Sequence, residues 1–316
     1  MNKNILFRAD SSSTIGTGHI MRDLVLALKY VKKGHNIIFA TQNLEGNINY
    51  KIIENNYKLE ILNSNSIYEL DSLIKKLDID LLVIDHYDID YNYEKQLKTK
   101  NPNLKILSFD DTYEKHYCDI LLNHNISADK KRYKDLVQNF CELQCGADYT
   151  LLREEFYQEK EIKRDKIYDI LIAMGGADTA NLNIPILKTI PQDLKVAVIT
   201  TVANANLEEL KEYIKDKKNI TLFINSNEVA KIINQSKFAI ITPSVTVNEV
   251  YFMGIDFIAI KTADNQEDMY SYLLKNGYLV LEKFNSKKLT NLIDIKMNIE
   301  LINFTELSLK DKKMIL

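Results

Sequence analysis

The sequence has few of the residues that interrupt regular secondary structure, since its 316 residues include only nine glycines and four prolines. Helix ends are therefore hard to place from the sequence alone. Cysteine is also scarce, and the spacing of Cys118, Cys141 and Cys145 matches no common zinc site. We expect three small, buried thiols in a reducing compartment.

The sequence also lacks a long apolar run and an excess of either charge. No run approaches the ~20 apolar residues of a membrane helix, and the first ten residues, MNKNILFRAD, lack the apolar core of a signal peptide. The formal net charge is −3 and no basic stripe occurs, so neither a nucleic acid nor an acidic membrane is an expected partner. We expect a cytoplasmic, monomeric protein that binds a small molecule.

Short apolar runs alternate with amphipathic stretches along the chain, a pattern typical of β-α units around a parallel sheet. The charged segment 154–166 separates two such series, which indicates two Rossmann-like α/β lobes at 1–155 and 156–316. The tail after about residue 283 is either a terminal helix that returns to the first lobe or a peripheral appendage. The predicted strands are residues 4–10, 36–41, 80–86, 105–110, 119–123, 168–174, 195–200, 220–224, 238–242, 257–261 and 278–282.

A Ser/Gly-rich loop at residues 11–18 joins the first predicted strand to the first predicted helix. In an open parallel sheet, such a loop faces the ligand crevice. Gly16 and Gly18 allow a close approach of the backbone, and the free amides of a helix start favour an anion. The loop is neither a Walker motif nor a dinucleotide fingerprint, because Met21 stands where the third glycine belongs. A plain strand–turn–helix connection remains the alternative.

His19 is the candidate catalytic residue of this segment. It lies one position before the apolar stripe of the helix, so we expect its side chain to point away from the core, towards the crevice. The positive end of a helix disfavours imidazolium and would keep a neutral base available near pH 7, whereas a bound diphosphate would act in the opposite direction. An ordinary packing histidine is the alternative. The predicted stripe consists of Ile20, Leu24, Ala27, Leu28 and Val31.

Three loops of the second lobe also follow predicted strands. The Gly175-Gly176 pair, with Asp178, again offers bare backbone. The segment 242–249 leads into a short helix that ends near Gly254; there Ser244 and Thr246 could donate to phosphate, and Glu249 could accept both ribose hydroxyls. The polar loop 264–268 suits sugar hydroxyls and amides. In the first lobe, Asp85-His86-Tyr87 ends a strand and should also reach the crevice; a buried polar strand end is the alternative.

Taken together, these segments resemble GT-B-type nucleotide-sugar enzymes. More narrowly, they resemble the family of UDP-2,4-diacetamido-2,4,6-trideoxy-β-L-altropyranose hydrolases of bacterial pseudaminic acid biosynthesis. The tail beyond about residue 282 and the run 242–246 depart from the family pattern. The stretches that carry the resemblance are RADSSSTIGTGHIMRDLVLA from Arg8, IYEL from Ile67, IDHY from Ile84, ILSFDD from Ile106, CDILLNHN from Cys118, LLREEFYQE from Leu151, MGGAD from Met174, VNEV from Val247 and NQE from Asn265.

The resemblance implies a GT-B-like fold, with two Rossmann-like lobes around an interdomain cleft, and a hydrolase that needs no metal or cofactor. It implies that water attacks the anomeric carbon of a UDP-sugar with inversion, that His19 of the G-x-G-H motif is the base, and that Glu249 of the V-N-E motif holds the ribose. Together with the loops above, the predicted substrate-binding residues are Gly16, Gly18, Tyr87, Arg153, Gly175, Gly176, Asp178, Ser244, Asn248, Glu249, Asn265 and Gln266.

Other activities are possible on the same scaffold. A GT-B glycosyltransferase would pass the sugar of a UDP-amino-sugar donor to an acceptor, an epimerase would leave UDP attached, and a binding module would not turn over. A pyrophosphatase would attack phosphorus instead, but such enzymes usually rely on Mg²⁺, and the sequence has no Walker loop or dense cluster of Asp, Glu and His with metal-ligand spacing. The resemblance favours the hydrolase over all of these.

Overall fold

A computed structural model describes residues 2–298 of the chain. The chain divides into two compact units between Leu152 and Arg153. Within the described residues, no helix is both long enough and apolar enough to cross a membrane.

The first unit is built around a seven-stranded sheet in the order β3-β2-β1-β4-β5-β6-β7, in which all neighbours pair in parallel. Its strands are β1 (Asn4–Ala9), β2 (Asn36–Gln42), β3 (Lys58–Leu62), β4 (Leu81–Asp85), β5 (Lys105–Phe109), β6 (Ile120–Asn123) and β7 (Glu142–Cys145). Its helices are α1 (Gly18–Val31), α2 (Asn49–Glu54), α3 (Ile67–Lys76) and α4 (Tyr91–Lys100).

The second unit is built around a six-stranded parallel sheet in the order β10-β9-β8-β11-β12-β13. Its strands are β8 (Tyr168–Ala173), β9 (Val196–Thr200), β10 (Ile220–Ile224), β11 (Ser236–Ile241), β12 (Asp256–Ile260) and β13 (Leu279–Leu281). Its helices are α5 (Glu154–Lys160), α6 (Asn183–Leu187), α7 (Leu207–Ile214), α8 (Val229–Asn234), α9 (Val245–Met253), α10 (Glu267–Lys275) and α11 (Ser286–Asn298).

Both sheets are covered on their two faces, which explains why their central strands are continuous apolar runs. In β1, Ile5 and Phe7 pack into one cluster with α1, whereas Leu6 packs into the cluster on the opposite face. In each unit the strand order reverses once, between β1 and β4 and between β8 and β11. Such a reversal leaves a crevice at the carboxyl ends of the two strands, where α/β proteins bind ligands.

The sequence analysis missed two strands, β3 and β7, and both lie at the edges of the first sheet. Their sequences, KLEIL and ELQC, are short and carry charged residues that remain partly exposed. An edge strand has a neighbour on one side only, so it needs no continuous apolar run.

The predicted apolar stripe of α1 was also wrong in part. Leu28 and Val31 are exposed, and the buried face is made instead by His19, Ile20, Asp23, Leu26 and Ala27. The tail begins with α11, whose Leu289, Leu292 and Ile293 pack into the core of the second unit. The part of the predicted tail after residue 298 lies outside the described residues.

Candidate active site

His19 and Asp85 form a hydrogen-bonded pair where the strand order of the first sheet reverses. His19 lies in the first turn of α1, after the loop that leaves β1, and Asp85 is the last residue of the adjacent strand β4. Nδ1 of His19 lies 2.6 Å from Oδ1 of Asp85 and 3.0 Å from its carbonyl oxygen. Both atoms accept, so Nδ1 carries the hydrogen and Nε2 is the basic nitrogen.

His19 borders a cavity at the ends of β1 and β4, in line with the expectation that it points towards a crevice, but it is largely buried. The residue is only 8% exposed, because Asp85 supplies the partner that allows an imidazole to be buried. Its Nε2 has no hydrogen-bond partner among the described residues, and the ring borders a cavity of about 100 Å³. Such a volume holds roughly three water molecules at ~30 Å³ each. The cavity is lined by Asp10, Ile15, His19, Asp85, His86, Tyr87 and Asp88.

Arg22 holds the Asp85 carboxylate from the other side. Its Nε and Nη2 each donate to one oxygen of Asp85 at 2.5 Å, the two-pronged geometry that makes an arginine–carboxylate pair strong. The guanidinium carbon lies 4.9 Å from the centre of the Phe109 ring, and Nη1 donates to Asp111 at 3.2 Å. The carboxylate of Asp85 is therefore fixed between a cation and the His19 ring.

Tyr87 contacts both Asp111 and His19, so these residues form one contact network with Arg22 and Asp85. Its hydroxyl donates to Oδ1 of Asp111 over 3.1 Å, and its ring meets the His19 ring edge-on with the centres 5.0 Å apart. The side chain is largely exposed, so one face remains open to a ligand. The sequence analysis singled out Tyr87 but attached no role to Asp85, Arg22 or Asp111.

The charged residues of this network raise the pKa of His19 and lower the pKa of Asp85. Burial lowers the pKa of His19, but the hydrogen bond and charge of Asp85 outweigh burial, and the net pKa lies above the ordinary 6.5. Burial would raise the pKa of Asp85, but the charge and hydrogen bonds of Arg22 hold it well below its usual range. Asp85 is thus an anion over the physiological range, placed to stabilise a protonated His19.

The loop between β1 and α1 is shaped by its own polar side chains. Oγ of Ser12 accepts from the amide of Ile15 at 2.9 Å, and a backbone bridge joins Ser12 to Gly16, which adopts a positive φ of 84°. A Cβ added at Gly16 or Gly18 would meet nothing within 4 Å, so both glycines border open space. No side chain caps the start of α1 at Thr17, which leaves that helix end open to an anion.

A buried ion pair anchors this loop to the end of β4. The Arg8 guanidinium donates to both oxygens of Asp10 at 2.8 Å, and Nε2 of His86 lies 3.0 Å from Oδ2 of Asp10. Arg8 and Asp10 are almost fully buried. Through the contact with His86, the ion pair therefore fixes the end of β1 against the residue that follows Asp85.

In the second unit, the glycine-rich turn follows β8. Gly175 has a positive φ of 82° and open space around a hypothetical Cβ, whereas a Cβ at Gly176 would come within 2.9 Å of Thr201. Both oxygens of Asp178 accept backbone amides, from Leu182 and Asn183, at 2.9 Å. Asp178 therefore fixes the turn that presents the two glycines.

The segment between β11 and α9 carries the other main set of second-unit candidates. Ser244 stands immediately before α9, with its hydroxyl 2.9 Å from that of Thr242. Asn248 is buried, whereas the side chain of Glu249 is 18% exposed. Burial raises the pKa of Glu249, and Arg153, whose Nη2 lies 3.5 Å from Oε1, acts in the opposite direction. Arg153 and Glu249 are thus brought together although 96 residues separate them in the sequence.

The loop after β12 carries the last pair of candidates. Asn265 is exposed, and Oε1 of Gln266 accepts from the amide of Thr262 at 2.8 Å. Because β8, β11 and β12 are neighbours in the sheet, the three candidate loops follow adjacent strands. In the described residues, no group of three or more His, Cys, Asp or Glu side chains is arranged to hold a metal ion.

Known proteins resemble this chain at two levels. No protein-family model matches the sequence. The UDP-2,4-diacetamido-2,4,6-trideoxy-β-L-altropyranose hydrolase of Campylobacter jejuni is 45% identical over 280 residues, covering 89% of this chain and 99% of that enzyme. MurG of Acinetobacter baumannii has a TM-score of 0.62 at 16% identity, covering 95% of this chain and 92% of MurG. UGT89C1 of Arabidopsis thaliana, complexed with UDP-L-rhamnose, has a TM-score of 0.61 at 12% identity, covering 100% of this chain and 98% of UGT89C1.

The likeness to the two solved structures concerns the fold alone. Together with two parallel sheets that each reverse their strand order beside polar loops, it places the chain in the GT-B class of α/β proteins, as the sequence predicted. The family follows from the closer relative. The chain belongs to the UDP-2,4-diacetamido-2,4,6-trideoxy-β-L-altropyranose hydrolases.

Proposed function

We propose that this protein hydrolyses UDP-2,4-diacetamido-2,4,6-trideoxy-β-L-altropyranose, releasing UDP by attack of water on the anomeric carbon. The observation that carries the proposal is the His19–Asp85 pair, which leaves the basic Nε2 of His19 beside a cavity of about 100 Å³. The 45% identity to such a hydrolase supplies the substrate. The three free cysteines favour a reducing compartment, so we place the monomeric enzyme in the cytoplasm.

In the proposed reaction, Nε2 of His19 takes a proton from water while the oxygen of that water bonds to the anomeric carbon. The bond between this carbon and the diphosphate oxygen breaks, and UDP leaves with the electron pair. Attack on the face opposite UDP inverts the anomeric centre. Diphosphate is a good leaving group, so a second carboxylic acid of the kind that glycosidases use is not required. Asp85 stabilises the imidazolium that forms.

The second unit supplies the UDP site in this proposal. Glu249 accepts hydrogen bonds from the ribose hydroxyls, and Arg153 favours the ionised form of that carboxylate. The backbone at Gly175 and Gly176, with Ser244 at the start of α9, binds the diphosphate. Asn248 lies on the same helix, and Asn265 and Gln266 are further candidates for binding the substrate.

Turnover in ¹⁸O-labelled water tests which bond breaks. If water attacks the anomeric carbon, the solvent oxygen stays with the sugar, so mass spectrometry should find labelled sugar and unlabelled UDP, with a chelator present throughout. Label in UDP, or loss of activity on chelation, would show that water attacks phosphorus or that a metal takes part. UDP release that needs an added acceptor would indicate a glycosyltransferase instead.

Glu249→Ala is expected to weaken UDP binding by roughly 1.5–3 kcal/mol, the range for hydrogen bonds that involve a charged group. Calorimetry with UDP measures this directly. Glu208→Ala, at an exposed position on α7, is the matched control and should bind UDP like the wild type. An unchanged affinity in Glu249→Ala would remove this residue from the UDP site.

A further inference from the structure

The first unit contains a second pocket beside the His19 cavity. Its volume is about 470 Å³, and it shares the residues Asp85, His86 and Tyr87 with the smaller cavity. The two spaces therefore adjoin at the end of β4. The pocket lies between the segment that follows β4 and the segment that follows β5, and its other lining residues are Ile89, Asp90, Tyr91, Phe109, Asp110, Thr112, Glu114, Lys115 and His116.

The two volumes suit different parts of the reaction. About 100 Å³ at His19 has room for water but lies below the ~300–1,000 Å³ of pockets that bind small molecules. About 470 Å³ lies within that range. The attacking water therefore belongs at His19, and of these two spaces the larger one suits the body of the sugar.

His116 is a buried polar side chain that faces this pocket with one nitrogen. Its Nδ1 lies 2.8 Å from Oε1 of Glu94, and the side chain is 9% exposed. The carboxylate of Glu94 is fully buried and also accepts from Ser108 and from the amide of Tyr117, at 2.6 and 2.5 Å. Because the carboxylate oxygen accepts, the hydrogen of this contact lies on Nδ1 of His116.

The second nitrogen of His116, Nε2, has no hydrogen-bond partner among the described residues. Burial lowers the pKa of His116, but Glu94 outweighs burial and the net pKa lies above 6.5. Nε2 accepts a hydrogen bond in the neutral ring and donates one in the protonated ring. The nearby cation Lys115 lies over the Tyr91 ring, 4.8 Å from its centre. His116 is therefore a buried polar group at this wall, with apolar surface from Ile89, Tyr91 and Phe109 around it.

The chemistry of a 2,4-diacetamido-2,4,6-trideoxy sugar matches this lining. The sugar carries three methyl groups, which suit apolar walls, and two amide carbonyls, which need donors. The anomeric carbon must lie at the His19 cavity, and C4 stands across the ring from it. The 4-acetamido group is therefore the part of the sugar that reaches furthest into the larger pocket.

We propose that this pocket is the site that recognises the 4-acetamido group, with Nε2 of His116 hydrogen-bonded to its amide and Glu94 positioning the His116 ring. The inference rests on the proposed function, because it takes the substrate from there. It assigns sugar selectivity to His116 and Glu94 of the first unit. Neither residue belongs to the contact network that surrounds His19.

The test compares two substrates in wild type and His116→Gln: the UDP-diacetamido sugar and its analogue with a free amine at C4. For the wild type we expect a preference for the diacetamido sugar. In His116→Gln, kcat/KM for that sugar should fall by roughly 10- to 100-fold, mainly through KM, while the analogue changes little. His35→Gln, at a part-exposed histidine whose Nδ1 accepts from the amide of Lys3, is the control.

Binding of the free sugar gives a second readout that needs neither turnover nor a variant. In saturation-transfer NMR with wild-type protein, the methyl signal of the 4-acetamido group should receive more saturation than that of the 2-acetamido group. If His116→Gln slows both substrates equally, or neither, or if the two methyl groups saturate alike, the proposal is overturned. A wild type that binds the sugar in this way but releases no UDP would overturn the proposed function and leave the sugar site standing.

Discussion

His19→Asn should lower kcat by ~10²–10⁴, the usual contribution of a general base, while the affinity for UDP changes little. Asparagine keeps a polar side chain that can still bond to Asp85, but it cannot accept the proton of the attacking water. UDP binding is expected to survive, because we place the UDP site on residues of the second unit. Steady-state kinetics together with calorimetry separates the two effects.

The pH dependence of the wild type provides an independent check on His19. The base must be neutral, and Asp85 raises the pKa of His19 above 6.5 despite burial. Activity should therefore be present above this raised pKa, and kcat/KM should be lost as the pH falls through it.

A His19→Asn variant that keeps more than a tenth of the wild-type kcat would exclude His19 as the base. The control variant His35→Asn should have the kcat of the wild type.

The fold was largely predictable because its central strands are buried on both faces and appear in the sequence as apolar runs. The runs at residues 4–10, 80–86, 168–174 and 238–242 became β1, β4, β8 and β11, the four strands that flank the two reversals of strand order. The edge strands β3 and β7 could not be found in this way, since partial exposure permits the charged residues that they carry.

The site was predictable only where it depends on local sequence. A glycine-containing loop followed by a helix start indicates a ligand site, and His19 lies there. The burial of His19 depends on Asp85, which is 66 residues away, and the link from Arg22 to Asp111 spans 89 residues. Local sequence pattern cannot reveal such pairs. A usable signal was nevertheless present, because Arg22 lies close to His19 in the sequence and Asp85 was expected to reach the crevice, so an ion pair between them could have been predicted.

Asp85→Asn should lower kcat by ~10²–10⁴, although Asp85 does not touch the substrate. In the wild type, Nδ1 of His19 donates to the Asp85 carboxylate, which keeps Nε2 free as the base. The amide of an asparagine can donate to Nδ1, and this favours the tautomer with its hydrogen on Nε2, where no proton can be accepted. Loss of the negative charge also removes what raises the pKa of His19, so the acid limb of the residual kcat/KM should move to lower pH.

The same substitution leaves the partly buried Arg22 without its main partner, so a loss of stability has to be separated from a loss of catalysis. Removing one member of a buried ion pair costs about 3–5 kcal/mol, which thermal unfolding would detect. Unchanged UDP affinity would show that the second unit remains intact. Asp111→Asn, which removes the weaker partner of Arg22 at 3.2 Å, is the matched control and should retain most of kcat.

The double variant decides whether His19 and Asp85 act as one unit. If Asp85 works only through the tautomer and charge of His19, then His19→Asn with Asp85→Asn should be no slower than His19→Asn alone, because the second substitution has nothing left to disturb. Two independent contributions would instead multiply, and kcat would fall by the product of the single effects. That result would contradict the positioning role of Asp85 and would require the carboxylate to act on the substrate itself.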